Sequence, residues 1–211
     1  MKRVLLQFVF LGLCSCVSWG AFTYTISNGY EYGVLLHNNE SLLVTGGGAD
    51  QIDAYDNSYI EVKSTGPLQL DVGGIGILLL NDNGALNFYN GELGSFRIYD
   101  NAEAIFRGGR IDYIRSFQYV GWVGRDWVGP HIEIVCRDYV ATSTLVTGTW
   151  NADNNHDGLW DTFRIQLLNQ NGYSPVLSNI KFTVIPEPTT VCLLALGGIV
   201  LSRARRPSGG F

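Results

Sequence analysis

Charge is in short supply in this chain. Its 14 Lys and Arg and 19 Asp and Glu make up 16% of the 211 residues, for a net charge of −5; an average globular protein carries roughly 25%. A phosphate-binding surface needs a basic excess, so nucleic acid is excluded as an expected partner. Histidine is scarcer, at three, and His37, His131 and His156 are scattered, so no zinc site is expected. A Gly-x-Ser-x-Gly nucleophile elbow is absent too. Of four cysteines, Cys14, Cys16 and Cys192 lie towards the ends, leaving Cys136 alone in the body. No intrachain disulfide can form there, and Cys136, after Ile132, Ile134 and Val135, reads as an inert core thiol. The 46% apolar content excludes a disordered chain, and glycine, at 26, is the one residue in excess.

Both ends read as addresses. Met1-Lys2-Arg3 precedes an apolar stretch from Val4 to Leu13, the form of a secretory signal peptide over residues 1–20. Cleavage after Gly20 and lipidation at Cys16, in Leu13-Cys14-Ser15-Cys16, are both open. At the other end, Pro186-Glu187-Pro188 precedes an apolar run over 189–201 and then Arg203, Arg205 and Arg206. As a helix the run is about 20 Å long, short of the roughly 30 Å hydrocarbon core. Arginines at one end only can reach the cytoplasmic headgroups, which places the body outside.

Pro-Glu-Pro, a short Leu/Gly-rich transmembrane helix and a terminal Arg cluster, over residues 186–206, resemble the PEP-CTERM sorting signal of exported Gram-negative proteins. The resemblance implies recognition by a membrane exosortase at Pro186, Glu187 and Pro188. It also implies an inner-membrane intermediate and then a cell-surface or extracellular product. The five residues after the arginines, Pro207 to Phe211, depart from the pattern.

Between the addresses, residues 21–185 carry 9 basic and 18 acidic side chains, a net charge of −9. Residues 82–99 and 100–117 repeat each other: both open with Asp-Asn, and Gly91 aligns with Gly109, Phe88 with Phe106, Leu93 with Ile111 and Phe96 with Ile114. The same 18-residue shift places Leu68, Leu70, Ile75, Leu78 and Leu80 in the columns of the preceding unit, and Ile132 and Ile134 under Phe96 and Ile98. Apolar residues at i and i+2, separated by Asn-Gly, Gly-Gly and Asp-Asn, are strands joined by tight turns. The expected fold is all-β: a short parallel β-solenoid (β-helix) over 21–140 with stacked 18-residue coils. An antiparallel sandwich has similar strand spacing but need not keep a fixed register.

Residues 118–130 break the period. Trp122 and Trp127 there are candidate glycan contacts, or covers for the end of the core. Residues 141–185 read as a hairpin module, with strands Leu145–Trp150 and Thr162–Leu167 joined by an acidic loop. In it Asp153, Asn155, Asp157, the Leu159 carbonyl and Asp161 follow the spacing of a calcium loop, but Arg164 stands where the bidentate Glu belongs. Calcium and a solvated Asn/Asp-rich turn are both open readings, and no other cofactor is expected.

Arg97, Arg107, Arg110 and Arg115 recur along the repeats with Asp100, Glu103 and Asp112 between them, which reads as a solvated, charge-paired face. The expected protein is a non-enzymatic, exported surface or matrix protein without catalytic residues. Its expected partners are exosortase, extracellular polysaccharide and, before processing, the membrane. Plentiful carboxylates leave a small polysaccharide lyase or glycoside hydrolase as the alternative.

Overall fold

The structure, a computed structural model, describes residues 21–69, 73–117, 131–152 and 160–185. The signal-peptide segment, the Trp122/Trp127 segment, most of the acidic loop and the sorting segment with its expected transmembrane helix lie outside them. The first strands are β1 (Tyr24–Ile26), β2 (Tyr30–Glu31), β3 (Val34–Leu36), β4 (Ser41–Val44) and β5 (Gly48–Ala54). Then come β6 (Tyr59–Val62), β7 (Gly74–Leu80), β8 (Ala85–Phe88), β9 (Glu92–Ile98) and β10 (Glu103–Phe106). The last are β11 (Arg110–Ser116), β12 (Ile132–Ala141), β13 (Leu145–Trp150), β14 (Thr162–Leu167) and β15 (Ile180–Val184). Among the described residues the only helix is a 3-10 turn at Val176–Asn179, and none is long and apolar enough to cross a membrane.

All the strands belong to one sheet. It runs from β1 through β4, β6, β8, β10 and β12, crosses β13 to β14, and returns through β11, β9, β7 and β5 to β2. Its two ends, β1 and β2, are neighbours in sequence, so the sheet curls almost to closure. β3 pairs with β5, and β15 lies along β12. The β12–β13 and β13–β14 pairs are antiparallel and every other strand pair is parallel. The fold is therefore all-β, with the hairpin of 141–185 continuous with the rest.

An 18-residue register runs through most of it: Tyr24 lies beside Leu42, Ala85 beside Glu103, and Leu93 beside both Ile75 and Ile111. Two steps are longer. Leu86 and Phe88 lie beside Ile60 and Val62, 26 residues earlier, rather than in line with Leu68 and Leu70. The reason is an excursion between β6 and β7, closed by a Gln69–Gly73 bridge and tied down where Leu68 N–H donates to Glu92 at 2.6 Å. Ile132 and Ile134 lie beside Ala104 and Phe106, 28 residues earlier, rather than under Phe96 and Ile98. A fixed shift carries each strand past such insertions to the wrong partner, whereas backbone pairing skips them.

Turn chemistry holds the register. Asn38, Asp56, Asp82 and Asp100 occupy equivalent corners with φ of 56°, 57°, 54° and 52°, a left-handed conformation that Asn and Asp adopt more readily than other side chains. Two of these carboxylates also tie their corner to the one before. Asp56 accepts from Asn38 N–H at 2.9 Å and Asp82 from Asp56 N–H at 3.1 Å. Gly109 (φ 82°) marks the opposite corner, where a Cβ would lie 2.6 Å from the Gly91 carbonyl.

Inward side chains stack into columns. One runs Leu42, Ile60, Leu86, Ala104, Ile132 and Ile180; the facing one runs Ile52, Leu78, Phe96, Ile114 and Leu167. Phe106 bridges the two sides, with ring centroids 5.7 Å from Phe88 and 5.1 Å from Phe96. Burying such side chains contributes about 1.5–3 kcal/mol each. The column Ala54, Leu80, Ile98 ends at buried Ser116, whose hydroxyl accepts from the Asn179 amide.

β15 is fastened to β12 by Glu133, which accepts from the Thr183 hydroxyl and lies 3.6 Å from Lys181 Nζ. The Thr183 hydrogen bond, and then the charge of Lys181, hold the Glu133 carboxyl below its usual range. A carboxyl depressed on folding stabilises the fold above its unfolded pKa, near 4.3, and loses that contribution as the pH falls through its folded pKa. Glu133→Gln should lower the urea midpoint slightly at pH 7, and the difference should vanish by about pH 3.

Candidate functional site

The outward face of β11 and β14 carries a surface depression. A groove of about 570 Å³ is lined by Arg110, Asp112, Tyr113, Thr162, Arg164 and Gln166, over Phe163. A second hollow of about 330 Å³ adjoins it, sharing Arg110 and Thr162 and reaching Thr65, Asn90, Glu92 and Asp161. Strand alternation builds this lining. In β14, Phe163, Ile165 and Leu167 point into the core, which turns Thr162, Arg164 and Gln166 outward. Tyr113 and Gln166 are neighbours across the β11–β14 pair, and Ser95 extends the row onto β9.

Arg110 donates through Nε to Asp112 Oδ1 at 3.0 Å. Such an exposed pair adds little stability and mainly orients the guanidinium. Glu92 is committed elsewhere, since one of its carboxylate oxygens accepts the Leu68 N–H. The groove thus offers guanidinium, amide, hydroxyl and phenol groups along an open sheet face, a lining suited to hydroxyl-rich ligands.

The arginines expected to form one charge-paired strip divide between two faces. Arg107 follows β10 and sits over the Tyr89 ring at 5.9 Å. Arg97 and Arg115 are cross-strand neighbours on the groove side, and Arg110 pairs with Asp112 of the strip. In the sequence Thr162 and Gln166 carry no motif and Arg164 stands out only at the position of a calcium loop's Glu, although the alternation of β14 marks all three as outward.

Of the expected calcium ligands, Asp153, Asn155, Asp157 and Leu159 lie outside the described residues. Asp161 is described: its carbonyl accepts Trp150 N–H at 2.8 Å, and its side chain lines the second hollow. Among the described residues no three His, Cys, Asp or Glu side chains come together to hold a metal. Trp122 and Trp127 lie outside the described residues, as do Pro186, Glu187, Pro188, Arg203, Arg205 and Arg206.

Cys136 is fully buried, and burial pushes its thiol pKa up to about 11. It should therefore resist alkylation in the native protein at pH 8 and react only on unfolding, as a thiol count with and without urea would check.

Ile185 N–H still donates to the Cys136 carbonyl at 2.9 Å, so the sheet is hydrogen-bonded up to the residue before Pro186. No curated protein and no solved structure matches the chain. Residues 184–206 match the model of the PEP-CTERM protein-sorting motif, so this all-β body ends in the sorting signal of an exosortase substrate.

Proposed function

We propose that the chain is an exported, non-enzymatic surface or matrix protein whose body is a short β-solenoid that holds polysaccharide on its outward sheet face. The observation that carries the reading is the sorting motif matched at residues 184–206, which begins at the last residue of β15. In this reading exosortase recognises Pro186, Glu187 and Pro188. The helix over 189–201 and Arg203, Arg205 and Arg206 hold an inner-membrane intermediate, and processing delivers the body to the cell surface. The parallel 18-residue register and the inward columns support the solenoid. The groove's amides, hydroxyls and arginines support glycan contact, with Trp122 and Trp127 as further contacts.

Calcium at Asp153, Asn155, Asp157, Leu159 and Asp161 belongs to the same proposal. The melting midpoint should rise with calcium over chelator and lose that response in Asp157→Ala. A glycan array scored for both retention and fragment release tests the body's role. Retention without fragments is the expected result; release of fragments would make the protein a carbohydrate-active enzyme instead.

A further inference from the structure

Arg97 and Arg115 occupy the same outward position on β9 and β11 and are direct neighbours in register. Adjacent strands lie about 4.8 Å apart, so two like charges stand side by side, an arrangement that destabilises a sheet. Among the described residues neither guanidinium has a carboxylate within ion-pair distance, and the Nε of each is buried without a hydrogen-bond partner. The row continues to Leu79 and Asp53, so its nearest acid is two strands beyond Arg97. In a body with twice as many acidic as basic side chains, this pairing of cations, without a counter-ion among the described residues, is a position suited to an anion.

The surroundings indicate what kind. A hollow of about 420 Å³ beside Arg115 is lined by Thr144, Asn169 and Gln170 over Leu167 and Leu168. Tyr99 lies beside the pair, its ring stacked on Phe117 at 4.4 Å. Two residues from Arg115 on the same strand, Tyr113 opens onto the groove already described. Hydroxyl and amide groups flanking the cations suit a sugar polymer bearing isolated carboxylates better than a densely charged phosphate chain.

We propose that Arg97 and Arg115 together bind the carboxylate of an acidic polysaccharide of the uronate class, laid across β9, β11 and β14. The assignment rests on the polysaccharide-holding role proposed above and names the chemistry of that ligand. Planar guanidiniums bind carboxylates through paired N–H donors, and the shared anion removes the repulsion between the two side chains.

The test uses the full chain in detergent with three probes: polygalacturonate, its fully methyl-esterified form, and single-stranded DNA. Polygalacturonate should be retained, with the ester and DNA weaker by at least about tenfold, the scale of a lost charge-assisted hydrogen bond. Arg97→Gln/Arg115→Gln should lose that preference, while Arg107→Gln on the other face should keep it. Melting curves separate lost binding from misfolding: the double variant should melt at or above the wild type because a repulsion is gone. If the double variant does not fold, Arg115→Lys, which keeps the charge without the planar fork, should still weaken retention of polygalacturonate. Equal retention of acid and ester, undiminished acid binding by the folded double variant, or tighter binding of DNA would overturn the proposal. Retention of the ester as strong as that of the acid by every variant would sink the uronate site and leave the wider polysaccharide reading standing; no retention of either glycan would sink both.

Discussion

Removal of residues 96–113 is expected to leave a folded, shorter protein, whereas removal of 96–112 is expected to leave none. Both cuts fall inside strands, so no turn can absorb a mismatch. The 18-residue deletion joins Ser95 to Ile114, which enters the column position of Phe96 with Leu93 behind it. β12 then meets β8, with Ile132 beside Leu86 and Ile134 beside Phe88, and β14 still finds Ile114 beside Leu167. The 17-residue deletion joins Ser95 to Tyr113 instead, driving the phenol inward and turning Ile114 out. A one-residue slip reverses every facing in a strand, and the misplaced core side chains cost about 1.5–3 kcal/mol each. Together these approach the roughly 5–15 kcal/mol that holds a typical domain. Urea unfolding followed by tryptophan fluorescence should give a cooperative transition at a lowered midpoint for the longer deletion. The shorter should give none.

The second large effect is at Trp150. Its side chain is fully buried where the hairpin joins the repeats, with Nε1 donating to the Gly109 carbonyl at 2.8 Å and the ring 4.3 Å from that of Phe163. Trp150→Ala should cost about 3–5 kcal/mol through the cavity it opens, leaving the Gly109 carbonyl unpaired as well. Trp150→Phe keeps most of the apolar contact but loses the donor, so its cost should be smaller, about 1–3 kcal/mol. Urea midpoints for the two variants check the order. Equal and small losses would mean that the hairpin does not close the core.

The repeat was legible because Asp82 and Asp100, Gly91 and Gly109, and Phe88 and Phe106 each serve the same structural need one unit apart. A left-handed corner selects Asn or Asp, a close backbone approach selects Gly, and a column selects an apolar ring. The Lys63–Gly73 excursion was hidden for a related reason. Leu68 and Leu70 satisfy the apolar pattern as well as Ile60 and Val62 do, and only backbone pairing tells them apart. The hairpin strands were readable from alternation. The groove was not, because Tyr113, Arg164 and Gln166 lie on strands far apart in sequence that meet only through β11–β14 pairing. The Arg97–Arg115 pair is visible as a spacing but reads as charge-paired, since a linear chain does not tell which acids share its face.

The sorting claim is tested most directly by following the intact chain in cells with and without exosortase, measuring its mass and its location. With exosortase, the mature protein should be found at the cell surface or in the medium, shortened by the segment beyond the Pro186-Glu187-Pro188 motif. Without it, the longer form should accumulate in the inner membrane. The same mass and the same location in both cells would contradict the account.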